Sequence, residues 1–154
     1  MAGGKVVVAL VVSTALIGAG AAPAGAASTR AEYIAQADPI CLSANTAMKQ
    51  AAKGLQQDKK TGRFKVAARK IRAQTAIFGP AVEQIAALEA PASDAQLIGT
   101  WVQMLRSEVP VAHRLANDYA HGHILTKSYF RLGRLITESE ALVASFGFQY
   151  CQNM

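Results

Sequence analysis

Histidines, cysteines and paired carboxylates are the residues from which this chain could build a reactive or metal-binding site, and each is scarce. His121 and His123 flank Gly122, with Asp118 close by, which supplies two or three ligands of the kind zinc or copper takes. A bound ion wants further ligands from a second element, and no matching pair stands elsewhere, so the stretch reads as a solvent-exposed turn. His113 with Met48 or Met104 would offer axial ligands to a non-covalent haem, but methionines at this spacing read as packing residues. Neither Glu-x-x-His nor C-x-x-C-H occurs. G-x-S-x-G is missing too, and Glu138 and Glu140, two apart, fall on different faces of a helix. With no nucleophile beside a base and no acid–base pair, the chain reads as a protein that is not an enzyme and uses no cofactor or metal.

Cys41 and Cys151 are the two cysteines, and their chemistry depends on the compartment. Met1-Ala2-Gly3-Gly4-Lys5 carries one positive charge, an apolar run extends from Val6 to about Ile17, and small residues with Pro23 follow. Ala24-Gly25-Ala26 meets the A-x-A pattern of signal peptidase. Residues 1–27 are therefore expected to be a signal peptide, cleaved after Ala26 or Ala27; the apolar run is shorter than the ~20 residues a membrane-spanning helix needs. No cysteine stands there to carry a lipid anchor. Residues 28–154 then form one domain, secreted or held in the periplasmic or cell-envelope space, where two cysteines pair. A Cys41–Cys151 disulfide would close a loop of 110 residues (151 − 41), worth about 4–5 kcal/mol in the chain-entropy model.

The elements that must position these residues are helical. Thr29-Arg30-Ala31-Glu32 is a capping box. Ile34, Ala37, Cys41, Ala44, Met48, Ala51 and Leu55 then recur at alternating steps of three and four. Pro39 falls inside this seam, either as the first residue of a helix capped by Asp38 or as a kink in a longer one. The helix fades at Gly54 and the polar run Gln56–Lys60, and Thr61-Gly62 makes a turn. A second helix runs from Phe64 through Ile71, Phe78 and Ile85 to Leu88, kinked at Gly79-Pro80, and ends at Ala90-Pro91-Ala92. Ser93 is the expected N-cap of a third helix, whose face is Leu97, Trp101, Met104, Leu105, Ala112, Leu115 and Tyr119, with a kink at Pro110. After the His121–His123 turn, Thr126 caps a fourth, with Tyr129, Leu132, Leu135, Ile136, Leu142, Val143 and Phe146 on its face and Gly147 as its left-handed terminator. Nothing alternates with the period of a strand. The fold class is all-α: an up-down-up-down four-helix bundle with proline-kinked helices and a short C-terminal tail, closed by one disulfide. In that topology the last helix returns antiparallel to the first and brings Cys151 to Cys41.

The chain resembles a group of small exported helical proteins of actinobacterial type. Their pattern is a leader, an A-D-x-I-C-x-x-A-N segment, an L-x-A-P turn and a G-x-x-x-C tail. Here these are Ala37-Asp38-Pro39-Ile40-Cys41-Leu42-Ser43-Ala44-Asn45, Leu88-Glu89-Ala90-Pro91 and Gly147-Phe148-Gln149-Tyr150-Cys151. The resemblance spans nearly all of residues 28–154 and implies the fold and export; the group has no assigned function. Pro39 and the basic, lysine-rich first turn depart from the pattern.

That turn is the remaining feature that suggests a partner. Lys59, Lys60, Arg63, Lys65, Arg69, Lys70 and Arg72 contain no acid among them, and Lys49 and Lys53 fall toward the same end. The whole chain carries Lys+Arg 16 against Asp+Glu 10, and loss of the leader removes only Lys5. Such a pad favours an anionic envelope polymer or a membrane surface. Aromatics, at 6%, are too few for a stacking platform, and no nucleic acid is expected. The sequence reads as a non-enzymatic binding or envelope-associated module; the alternative is a small-ligand, haem or metal carrier using the bundle interior or the His121/His123 turn.

Overall fold

The computed structural model describes residues 29–154; the expected signal peptide lies outside the described residues. Helix α1 (Arg30–Ala51) begins at the capping box: Thr29 Oγ1 accepts from the Glu32 amide at 3.2 Å, and Glu32 Oε2 accepts from the Thr29 amide at 2.7 Å. It runs unbroken through Pro39, whose missing N–H only removes the bond that would reach back one turn. Gly54, at φ +75°, then redirects the chain. The polar run expected to be a fading helix end instead forms a short helix, α2 (Leu55–Lys60), so Leu55 starts a new element and does not continue the first seam. Helices α3 (Phe64–Ala86), α4 (Ala95–Ala120) and α5 (Lys127–Val143) complete an all-helical up-down-up-down bundle, with Pro80 inside α3 and Pro110 inside α4. The described residues contain no strand.

Three details differ from the expectation. Ser93 does not cap α4. Asp94 holds the cap position, but its carboxylate reaches across the bundle to the Arg30 guanidinium (Nε to Oδ2, 3.0 Å), and Ser93 Oγ donates to it at 3.3 Å. A long-range ion pair outcompetes the local cap because the fork geometry of arginine satisfies both carboxylate oxygens. Gly147 is left-handed, at φ +106°, but α5 already ends at Val143. Its turn aims Phe148 inward instead of terminating the helix. Tyr129 is exposed, and Leu132, Leu135 and Ile136 are only half-buried, because α5 packs on α4 but has no Cα within 8 Å of α1.

That last point defines the architecture. α1 packs on α3, α3 on α4 and α4 on α5, but no Cα of α1 comes within 8 Å of one in α5. The tail fills half of this open seam. Phe146 and Phe148 stack 4.6 Å apart between Tyr33 and Trp101, with Phe148 5.1 Å from the indole. The short 3-10 turn Cys151–Asn153 follows, bonded through Cys151 to Cys41. Asp38 accepts the backbone N–H groups of Gln149, Tyr150 and Cys151 at 3.0, 3.0 and 3.2 Å, and Asn45 Nδ2 donates to the Tyr150 carbonyl at 2.9 Å. Asp38, Cys41 and Asn45, spaced three and four apart, therefore lie on one helix face and hold the tail together. The main core gathers Tyr33, Val82, Ile85, Trp101 and Leu105 around it, and a second cluster (Ala67, Ala68, Ile71, Leu115, Ala116, Tyr119) packs the other end.

Asp38→Ala strips three backbone donors of their acceptor and is expected to cost about 3 kcal/mol in urea unfolding. Removing the disulfide by Cys41→Ala with Cys151→Ala is expected to cost about 2–5 kcal/mol, and the two changes together less than their sum, because both release the same tail. Tyr33 tests the core from the opposite direction. Its hydroxyl is buried with no hydrogen-bond partner among the described residues, and burial pushes its pKa up to about 12. Tyr33→Phe is expected to match or exceed the wild type by about 1 kcal/mol in the same assay.

Candidate functional site

The up-down-up-down order puts the α2–α3 turn and the α4–α5 turn at one end of the bundle. Phe64 of α3 meets Tyr119 of α4 edge-on at 6.4 Å, and the Lys59 ammonium lies over the rings of Tyr119 and Tyr129 at 5.7 and 5.9 Å. The seven basic residues singled out by the sequence have different fates there. Asp58, only 2% exposed, pairs with both Arg63 and Lys70, and Lys70 also donates to the Lys53 carbonyl. The Lys70 ammonium and the Arg63 guanidinium hold the Asp58 carboxyl below its ordinary range. This buried carboxylate pins α2 to α3, so Lys70 and Arg63 serve the fold. Arg72 donates to Asn117 Oδ1 at 2.8 Å. Lys60, Lys65 and Arg69 are exposed and make no ion pair among the described residues.

Apolar side chains share this end. Leu125 is 69% and Phe130 62% exposed, with Ile124 and Tyr129 also open to solvent; Phe130 meets Tyr129 edge-on at 5.3 Å. Lys127, Arg131 and Arg134 stand among them on α5. Most of the large apolar side chains exposed on the described surface fall between residues 124 and 130, and of these Tyr129 was expected on the buried face of the fourth helix.

The histidines are held by local backbone. The His121 ring is 2.8 Å from the Asn117 carbonyl, and the His123 amide donates to the Asp118 carbonyl at 2.9 Å. Hydrogen bonds from Thr126 and Ser128, with His123 and His121 nearby, lower the pKa of the Asp118 carboxyl; that carboxylate organises the α4–α5 turn. Among the described residues no three His, Cys, Asp or Glu side chains converge on a point that would hold an ion. His113 is exposed on α4, whereas Met48 lines the bundle interior.

The interior holds a residue that sequence reasoning passed over. Where the tail stops, the seam between α1 and α5 remains open as a cavity of about 210 Å³, lined by Met48, Phe78, Ile136 and Met154 among others. Glu108 of α4 lines it at 3% exposure. Its Oε1 is 3.0 Å from Ser139 Oγ of α5. Burial pushes the Glu108 carboxyl up to about 7; the Ser139 hydrogen bond opposes this and the nearby Glu140 charge adds to it. The signal was present in the spacing. Leu105, Glu108, Ala112 and Leu115 continue the α4 seam, as Ile136, Ser139 and Val143 continue that of α5, which puts two polar residues at core positions of neighbouring helices.

No protein-family model matches the chain, and no curated protein or solved structure shows significant similarity to it.

A carboxyl whose pKa is higher folded than unfolded stabilises the fold at low pH and loses that contribution as pH rises. For Glu108 the loss spans the interval from its ordinary 4.5 to about 7, worth about 3 kcal/mol in all. Glu108→Gln does not titrate. The variant is therefore expected to gain on the wild type by about 3 kcal/mol between about pH 4 and pH 8, read as the difference between their urea-unfolding free energies. A flat difference would mean that Glu108 does not hold its proton more tightly in the folded state.

Proposed function

We propose that this protein is an exported, non-enzymatic binding module that docks end-on onto anionic membrane surfaces. The reading rests on one observation: unpaired cations and exposed apolar side chains occupy the same end of the bundle. Lys60, Lys65 and Lys127 supply positive charge, and Leu125 and Phe130 supply apolar bulk for the boundary between headgroups and acyl chains. A soluble anionic wall polymer would use the charges but has no use for Leu125 and Phe130, which favours the lipid surface. Among the described residues no helix is long and apolar enough to cross a membrane, so attachment would be peripheral. Export rests on the leader at residues 1–27 and on the Cys41–Cys151 bond, which oxidising compartments favour. The likeness to small exported helical proteins of actinobacterial type points the same way.

Co-sedimentation with vesicles tests this. The protein is expected to partition onto vesicles rich in phosphatidylglycerol at low salt, to leave them at high salt and to ignore phosphatidylcholine. At about 1 kcal/mol per basic residue near the surface, Lys60→Ser with Lys65→Ser lowers the partition coefficient roughly thirtyfold. Leu125→Ser with Phe130→Ser also weakens vesicle binding, and without a change in the salt dependence. Failure to bind anionic vesicles at low salt overturns the proposal. Binding to anionic wall polymer but not to vesicles, unaffected by the Leu125/Phe130 change, assigns the pad to the polymer instead.

A further inference from the structure

The cavity at the open seam is lined by none of the exposed residues of the proposed docking surface, Lys60, Lys65, Lys127, Leu125 and Phe130. All four long helices and the tail contribute to its wall. Its volume of about 210 Å³ exceeds the ~150 Å³ in which an engineered apolar cavity takes up benzene, so an aryl ring with a short side chain fits. Met48, Ile71, Phe78, Leu132 and Ile136 present hydrocarbon to such a ring. Entry is available on one side: Met48 and Gln74 also line an outer groove of about 410 Å³ between α1 and the tail, beside Asn45 and Tyr150. Met48 stands in the wall shared by the two spaces, and the inner one is itself partly open to solvent.

The polar chemistry of the wall selects the ligand. Glu108 lines the cavity, and Ser139 is its one hydrogen-bond partner among the described residues. The Ser139 hydroxyl is also 3.0 Å from the Ile136 carbonyl, and with a single proton it cannot donate to both acceptors. No lysine, arginine or histidine lines the space. Once Glu108 is ionised, an anionic ligand would face the carboxylate with no counter-charge, and a purely apolar one would leave it desolvated with only the shared Ser139 proton to accept. A protonated amine brings the missing cation and up to three donors. We propose that this cavity binds a small apolar amine, its ring among Met48, Phe78 and Ile136 and its ammonium on the Glu108 carboxylate.

Of the elements around Glu108, α5 presents Ser139 and the charged Glu140, while α1, α3 and the tail present only the uncharged side chains of Met48, Gln74, Thr75, Phe78 and Met154. Amine binding is therefore expected to tighten as pH rises from about 5 to 8 through the ionisation of Glu108, the amine staying protonated throughout.

Calorimetric titration of the disulfide-bonded protein with 2-phenylethylamine and with its neutral counterpart 2-phenylethanol tests the site. The amine is expected to bind saturably and at least about tenfold tighter than the alcohol at pH 7.5, with that preference lost in Glu108→Gln. In the wild-type protein the amine should also shift the methyl resonances of Met48 and Met154, which holds the test open should the variant fail to fold. Three results would each overturn the proposal: no saturable amine binding, equal affinity for amine and alcohol, or a preference that survives in folded Glu108→Gln. None of them bears on vesicle docking, which rests on Lys60, Lys65, Leu125 and Phe130, none of which lines the cavity.

Discussion

A single carboxylate accepting three consecutive backbone N–H groups is the interaction on which this fold depends. Asp38 holds Gln149, Tyr150 and Cys151 against α1, and the Cys41 bond and the Asn45 amide fix the same segment from the same helix face. The tail needs this hold because it replaces a helix–helix contact. No Cα of α1 comes within 8 Å of one in α5, and the tail covers Tyr33 and Trp101 on that side. A chain end without regular hydrogen bonding frays unless its backbone is satisfied by something else. Here the satisfying groups all come from one stretch of α1.

The tail closes only part of the seam, and the two ends of the bundle differ as a result. At the closed end, aromatic rings, the disulfide and the Arg30–Asp94 pair bind α1, α4 and the tail into one unit, with the Arg30 guanidinium 4.8 Å above the Phe146 ring. Farther along, α5 is only half covered and Glu108 sits in a void. Its first turn carries exposed aromatic and aliphatic side chains beside lysines. Features suited to binding therefore collect where tertiary packing is thinnest, as expected when stability is distributed unevenly through a domain.

Much of the architecture was legible in the spacing of residues. The capping box at Thr29, the seams of the long helices and the prolines inside them predict the elements, and the antiparallel return of the last helix predicts the meeting of Cys41 with Cys151. Three of the errors share one physical cause, which is competition between local and long-range partners for the same polar group. The cap of α4 was expected at Ser93 and Asp38 was one candidate cap, yet Asp94 at the cap position and Asp38 are each taken by a group distant in sequence, Arg30 for one and the tail amides for the other. Asp58 reads as part of a solvated run but is buried between Arg63 and Lys70. Glu108 was skipped in a seam that it occupies in register. At the basic end, the run of cations was visible as composition, whereas its division into structural and unpaired cations depends on where Asp58 points, which no local pattern encodes.

The bond from Cys41 to Cys151 also changes what the molecule is as a covalent object. It joins residues 110 apart, so every inter-helix turn lies inside one covalent ring. Proteases attack exposed loop tips first, and here those are the turns around Gly62, Pro91 and Gly122. A single cut at any of them opens the ring without releasing a fragment, and each half of the bundle stays tethered to the other through the tail. The molecule can therefore be nicked once and remain one piece, folding from two ends of a broken circle, for as long as its surroundings keep the sulfurs oxidised.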